Sequence, residues 1–371
     1  MTNPVTIRQC AVLVGGLGAD APAPLLPCGD RPFLAWLLRE GVRFGVEEFL
    51  LLAGAVSGRV EAAMEAILPT LPRRPRVDIC REAARERLDE RFLLLDGDTL
   101  FDFNLANLLA DAAQDGPDVI GRTALRHAGD ASPDATVAAG VTVLGRSVFD
   151  DVAPGLSLER DVLAKLAHAG KLRGTVGRGY FRDIGVPGDF AAAQTELPRL
   201  LHRRALFLDR DGVINRDHHY VGTREKFEWM PGARAAIRRA TQAGWHVFVV
   251  TNQSGVARGF YTEADLMALH AWMIDEVRRE RGTIDDIRYC PYHPDGTVAA
   301  YRRHSDWRKP APGMLLDLIR AWELDPARCV MIGDQLSDLA AAAAAGVAGH
   351  LFTGDDLDVF VSDKLGMALI A

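Results

Sequence analysis

The sequence predicts an α/β protein, and three observations lead there. Short apolar runs recur and each stops at polar residues: Ala205-Leu-Phe-Leu before Asp209, Val247-Phe-Val-Val before Thr251, and Cys329-Val-Met-Ile before Gly333-Asp334. Runs of this kind read as buried parallel strands, and open α/β sheets place their ligands at the C-terminal mouths of such strands. The first half repeats the pattern: Gln9-Cys-Ala-Val-Leu-Val enters the glycine loop Gly15-Gly-Leu-Gly18, Glu48-Phe-Leu-Leu-Leu-Ala53 follows, and Phe92-Leu-Leu-Leu leads to Asp96-Gly-Asp98. With 371 residues the chain is long enough for two domains of ordinary size. The arginine-rich stretch at 197–204 is the natural boundary between them.

Composition narrows the function. A net charge of -7 argues against nucleic-acid binding, since a phosphate backbone calls for a basic surface. No apolar stretch is long or pure enough to span a bilayer, and no signal peptide is expected ahead of the first strand. Cys10, Cys28, Cys80, Cys290 and Cys329 stand singly, without a CxxC or a disulfide framework, so a reducing, cytoplasmic setting is expected.

The chemistry concentrates in the second half. In Asp209-Arg-Asp211-Gly212, two carboxylates one residue apart repel each other and would hold a hard divalent cation such as Mg²⁺. Alone this tetrapeptide is a weak signal, because acidic turns are common. It is followed by Thr251-Asn252-Gln253-Ser254-Gly255, then Arg308-Lys309-Pro310, then Gly333-Asp334-Gln-Leu-Ser-Asp338 leading into an alanine-rich helix predicted over 339–345. In that order the four segments resemble the haloacid-dehalogenase-type phosphohydrolases, and the resemblance covers the whole C-terminal half.

The resemblance implies phosphoryl transfer through a covalent aspartyl-phosphate. Asp209 would be the nucleophile and Asp211 the acid and base. Mg²⁺ would be held by Asp209, the main-chain carbonyl of Asp211, and Asp334. Thr251, Asn252 and Lys309 would bind the phosphoryl group, and Asp338 would support the metal shell. Read without the family, Thr251 equally suits a helix cap and Asp338 a solvated helix position.

Within the superfamily, the segments at 208–221, 251–259 and 308–314 look like the heptose 1,7-bisphosphate phosphatases. The histidinol-phosphate phosphatases share the Thr-Asn-Gln start but not the Ser-Gly-Val-Ala-Arg-Gly continuation. No long insertion separates Asp211 from Thr251, so a large cap domain is not expected. Arg258 and Arg308 become the natural partners of a second, non-reacting phosphate, since a guanidinium binds phosphate in bidentate fashion. The family also carries a structural zinc loop with four Cys and His ligands. Here Cys290 alone survives, with Tyr292, Ser305 and Trp307 at the other positions, so no zinc is expected. A shifted set of Cys290, His293, His304 and Asp306 is the one alternative.

The first half resembles the sugar-1-phosphate nucleotidyltransferases over nearly all of residues 1–198, with departures at the residues that matter. Ala19-Asp20 stands where the family has Thr-Arg, and Ala23 where it has a phosphate-neutralising lysine. The family's glycine-rich segment has no counterpart between Ile79 and Arg91, where the charged run at 81–90 reads as a solvated helix face. Asp98 and Asp183 keep the two metal positions. A triphosphate facing two acids and no cation is poorly held, so nucleotidyl transfer is not expected.

The chain is thus expected to be α/β with two Rossmann-like domains. Residues 1–198 form a nucleotidyltransferase-like mixed sheet, inactive and able to support a homo-oligomer. Residues 203–371 form a haloacid-dehalogenase-type parallel sheet without a large cap. The expected activity is a Mg²⁺-dependent phosphatase acting on a small-molecule sugar bisphosphate, with neither nucleic acid nor membrane as partner. The alternatives are a bifunctional phosphatase and nucleotidyltransferase, a histidinol-phosphate-type phosphatase, and a non-catalytic assembly partner.

Overall fold

The computed structural model describes residues 7–14, 22–81, 85–128, 135–150 and 158–366. The chain forms two compact units, Met1–Leu201 and His202–Ala371. The helix preceding the boundary carries through Leu197, so the connection is made by residues 202–204.

In the first unit the described residues build a seven-stranded mixed sheet. Its strands are β1 (Gln9–Leu13), β4 (Glu48–Leu52), β5 (Arg76–Cys80), β6 (Arg91–Asp96), β8 (Gly121–His127), β9 (Thr136–Gly145) and β10 (Leu172–Val176). They lie in the order β10-β8-β9-β6-β1-β4-β5, with β9 antiparallel to both neighbours. Two short antiparallel ladders stand apart: β2 (Pro27–Cys28) with β3 (Arg31–Pro32), and β7 (Thr99–Asp102) with β11 (Tyr180–Asp183). Helices α1 (Phe33–Arg43), α2 (Ser57–Ile67), α3 (Leu105–Ala113), α4 (Ala164–His168) and α5 (Pro187–Leu201) complete the unit. The charged run at 81–90 is not the expected helix: its described part is a single 3₁₀ turn, Arg85–Arg87. Arg87 reaches back to Asp78 at 2.6 Å and to the Cys80 sulfur at 3.3 Å, and Leu88 is the one buried residue among the described residues of the run.

The second unit is a five-stranded parallel sheet in the order β14-β13-β12-β15-β16. Its strands are β12 (Ala205–Leu208), β13 (His246–Asn252), β14 (Asp286–Cys290), β15 (Cys329–Gly333) and β16 (Ala348–Leu351). Helices α6 (Ala233–Gln242), α7 (Glu263–Arg279), α8 (Gly313–Ala321), α9 (Leu336–Ala344) and α10 (Leu357–Leu365) cover its faces. The middles of the central strands are continuous apolar runs because alternate residues enter different cores. Leu206, Leu208, Val247 and Val249 pack into one cluster, and Ala205, Phe207, Phe248 and Val250 into the other. The alanine-rich helix begins three residues earlier than the sequence suggested, because Gln335 caps it and Asp338 closes a capping box. Between β12 and β13, residues 212–245 hold turns and α6 and no inserted domain, so no large cap is inserted there.

Among the described residues no helix is long and apolar enough to cross a membrane. Trp322 is fully buried against Phe248 and His246 in the second core, with ring centroids at 5.4 and 5.0 Å. Trp322→Ala should therefore cost about 3–5 kcal/mol, read as a lower urea midpoint for the transition of this unit. An unchanged midpoint would mean that this core does not limit stability.

Candidate active site

The four polar segments singled out by sequence meet where β12, β13 and β15 end. Asp209 continues the ladder, its N–H bonded to the Ile332 carbonyl at 3.0 Å. The turn that follows needs Gly212, which has φ +86° and lies so close to Asp334 that an added Cβ would collide with its carboxylate.

Lys309 enters this junction almost fully buried. Its Nζ donates to Asp209 Oδ1 at 2.8 Å and to the Val250 carbonyl at 2.9 Å, and lies 2.6 Å from Asp338 Oδ1. Burial alone would favour a neutral amine, but Asp209 and Asp338 outweigh it and keep the ammonium charged. Asn252 fixes the main chain at this point. Its Nδ2 donates to the Lys309 carbonyl and its Oδ1 accepts from the Lys309 N–H, both at 3.0 Å. Sequence reading placed Asn252 at the substrate; in the fold its amide is engaged at both ends by Lys309.

One ammonium does not balance the acids around it. Asp209, Asp334 and Asp338 bring ligand oxygens within 4.8 Å of one another, the single such convergence of acidic, His or Cys groups among the described residues. Burial pushes the Asp209 carboxyl up to about 7, with Lys309 opposing the rise and Asp338 and Asp211 adding to it. Asp334 is also pushed up, first by burial, against a hydrogen bond from Gln335 Nε2 at 2.9 Å and with Asp338 adding to the rise. Its Oδ1 is buried without a hydrogen-bond partner. An all-oxygen donor set with surplus negative charge and an unsatisfied buried oxygen fits a hard cation such as Mg²⁺. Asp338 also accepts the Gln335 N–H at 3.0 Å, so this carboxylate ties the loop after β15 to Lys309.

Asp211 is engaged by donors that sequence reading missed. Arg210, fully buried, lies 2.9 and 3.0 Å from its two oxygens; Asn215 Nδ2 is 2.9 Å from Oδ1, and Gln253 Nε2 is 2.8 Å from Oδ2. Arg210 is held in turn by the Val221 carbonyl and by His270 Nε2 at 3.2 Å. Burial, then the charge of Arg210, keep His270 well below its ordinary pKa, so the imidazole is neutral and accepts. Thr251 is buried and accepts from Gln253 Nε2 at 2.8 Å.

Beside this centre lies a second one of opposite sign. Arg258 Nη2 is 3.3 Å from His293 Nε2, while Arg258 Nε and Arg308 Nη1 are buried without hydrogen-bond partners. Burial first, and then Arg258, draw the Arg308 guanidinium below its usual pKa, with the Cys290 thiol opposing. His293 is also held down, by burial and then by Arg308 and Arg258. Two half-buried guanidiniums with open N–H groups call for an anion.

The loop at 290–309 does not gather Cys290, His293, His304 and Asp306. His293 Nδ1 instead accepts the Asp295 N–H at 3.1 Å, and Tyr292 and Trp307 pack onto the second core. In the first unit, Asp98 and Asp183 are neighbours across β7 and β11, both lying against Gly185. Burial pushes Asp183 up, the Gly185 N–H opposes this, and Asp98 and Asp189 add to it. Ala23 sits in a turn over Ala23–Leu25. The glycine loop Gly15–Gly18 and Ala19-Asp20 lie outside the described residues.

The family model for haloacid dehalogenase-like hydrolases matches residues 139–346, more than half of the chain, beginning within the first unit. The D-glycero-beta-D-manno-heptose-1,7-bisphosphate 7-phosphatase of Rhodopseudomonas palustris is 56% identical over 163 residues, which are 44% of this chain and 91% of that one. Among solved structures, the D,D-heptose 1,7-bisphosphate phosphatase of B. bronchiseptica, complexed with magnesium and phosphate, is 36% identical. That match has a TM-score of 0.40 over 44% of this chain and 99% of that one. HddC from Yersinia pseudotuberculosis is 19% identical with a TM-score of 0.44, over 52% of this chain and all of that one. The chain belongs to the haloacid dehalogenase-like hydrolases.

Burial and the charge imbalance together have a measurable consequence. Asp209 has a higher proton affinity in the fold than in the unfolded chain, where an aspartate titrates near ~3.9. Its contribution to stability therefore falls as the pH rises from about 4 to about 7. A divalent cation binds the ionised form and opposes that loss. Mg²⁺ should raise the melting temperature more at about pH 7.5 than at about pH 5, and Asp334→Ala should remove most of the effect. Equal shifts at both pH values would place the cation elsewhere.

Proposed function

We propose that this chain is a Mg²⁺-dependent phosphatase that removes one phosphate from a sugar bisphosphate, with D-glycero-D-manno-heptose 1,7-bisphosphate as substrate. The observation that carries the reading is the adjacency of two centres on consecutive residues: the acid cluster around Lys309, which with a dication bound would take the reacting phosphate, and Arg308 beside Arg258, which calls for an anion. A substrate with two phosphates answers both. The Rhodopseudomonas palustris relative, a 7-phosphatase by name, supports the same choice.

Asp209 is the nucleophile. Its contacts with Lys309 and the Arg210 N–H both fall on Oδ1, so Oδ2 forms the bond to phosphorus. As the bond to the sugar oxygen breaks, Asp211 gives that oxygen its proton; it then takes a proton from the water that releases phosphate from the acyl phosphate. Lys309 and the Thr251 hydroxyl stabilise the phosphoryl oxygens throughout. Asp209, the Asp211 carbonyl and Asp334 would hold Mg²⁺, which would supply the neutralising charge that a carboxylate needs in order to approach a phosphate dianion. Asn252 acts by holding Lys309 in place.

Residues 1–198 are, in this reading, a nucleotidyltransferase-like domain without transferase activity that serves assembly, including self-association. Asp98 and Asp183 remain, but the positions that should carry cations are Ala19-Asp20 and Ala23. Five buried, unpaired cysteines support a cytoplasmic setting.

A phosphate-release panel tests the substrate. With Mg²⁺, heptose 1,7-bisphosphate should outpace histidinol phosphate and fructose 1,6-bisphosphate, and Asp209→Asn should show no turnover above background. Preference for histidinol phosphate would overturn the assignment. Arg258→Ala should raise KM for the bisphosphate by about 10- to 100-fold and change kcat little, the size expected for loss of a charged hydrogen bond. The same change should leave a sugar monophosphate unaffected. Nucleoside triphosphates with sugar 1-phosphates should yield no pyrophosphate; release that is lost in Asp98→Ala would make the protein bifunctional.

A further inference from the structure

Gln253 stands between the two groups that the chemistry needs in register. Its side chain is buried, and its Nε2 lies 2.8 Å from Asp211 Oδ2 and 2.8 Å from Thr251 Oγ1, so both amide hydrogens are engaged. Its Oε1 accepts from the Tyr261 hydroxyl at 2.6 Å. An amide is nearly symmetric in shape, and which end is nitrogen is set by its neighbours. The Asp211 carboxylate makes that choice, because it can only accept and so draws the NH₂ end to itself, and the Tyr261 hydroxyl then donates to the carbonyl end and holds it there. Burial pushes the phenol up to about 12, with Arg210 opposing and Asp211 adding to the rise, so the proton stays on the oxygen.

The chain makes room for this tyrosine at two glycines. An added Cβ at Gly222, in the loop after Asp211, or at Gly255, in the loop after Thr251, would collide with its ring. The phenol is therefore wedged between the two loops whose side chains it aligns.

Two consequences follow from the hydrogen-bond inventory. A threonine hydroxyl has one proton, and Thr251 already accepts from Gln253, so its proton is free to point at a phosphoryl oxygen. Asp211 receives Gln253 on Oδ2 and Asn215 on Oδ1, with Arg210 across both, which fixes the plane of the carboxylate.

We propose that Tyr261 and Gln253 form a positioning relay that sets the direction of the Thr251 hydroxyl and the orientation of the Asp211 carboxylate together, so that phosphoryl binding and proton transfer share one geometric reference. The inference rests on Asp211 being the acid and base.

The test uses the full-length chain with Mg²⁺ and whichever sugar phosphate in the panel is turned over fastest, so that a wrong substrate assignment does not affect it. Tyr261→Phe, Gln253→Glu and Asp211→Asn are compared by kcat, KM and the pH profile of kcat. Tyr261→Phe should lower kcat about 10- to 100-fold with little change in KM, part of what general acid–base catalysis contributes. Gln253→Glu sets a second carboxylate beside Asp211 and should move the acidic limb of the profile up by about one pH unit. That shift reports that position 253 faces Asp211, whereas a purely structural role would lower the folded fraction without lowering kcat at unchanged KM. Tyr261→Phe removes one oxygen and carries the test if Gln253→Glu does not fold. Parental kcat and pH profile in the folded relay variants, beside an inactive Asp211→Asn, would overturn the relay alone. An Asp211→Asn variant as fast as the parent would instead overturn the acid–base reading and the relay with it.

Discussion

The buried ammonium of Lys309 is the interaction on which the rest of the site depends. Placing a charge inside a protein is costly unless it is fully partnered, and here the ammonium is flanked by Asp209, the Val250 carbonyl and Asp338. Those partners come from the end of β12, from β13 and from the first turn of α9. A single cation thus pins three segments that have no sequence proximity. Asn252 and Asp338 extend the same restraint, one by clamping the Lys309 main chain and the other by capping the helix that follows β15.

Charge balance then describes the ligands. Asp209, Asp334 and Asp338 exceed the one cation among them; burial, with Asp338 adding to it, raises the proton affinity of Asp209 and Asp334, and Asp334 Oδ1 is left unsatisfied. Arg258 and Arg308 show the reverse, with guanidinium nitrogens that lack acceptors. A hard dication answers the first imbalance and an anionic group the second. In the first unit Asp98 and Asp183 also stand together, both against Gly185.

The loop at 290–309 shows how a segment without a gathered set of ligands among the described residues is held in place. In this chain the loop is held by burial of Tyr292 and Trp307 against the core that contains Phe248 and Trp322, and by Thr297 Oγ1 donating to the Arg258 carbonyl at 3.0 Å. The loop delivers Arg308 and Lys309 to the mouth of the sheet.

Sequence alone determined the α/β class, the strand-end positions of Asp209, Thr251 and Asp334, and the cationic pair at Arg308 and Lys309. It could do so because apolar runs specify buried strands, and the residue after such a run is placed at the mouth by chain geometry. What stayed hidden were Arg210, Asn215, Gln253, Tyr261 and His270, and the link from Asp338 to Lys309. Read along the chain, a glutamine or an arginine in a loop looks like surface. Gln253 is 42 residues from Asp211, and Arg210 is 60 from His270, so only the closed fold shows that each is buried and what it touches. The charged run at 81–90 failed in the same way, since whether charges form a helix face depends on something for the other face to pack against. Strand positions are a local property of hydrophobic pattern; hydrogen-bond partners are a property of which distant segments the core brings together.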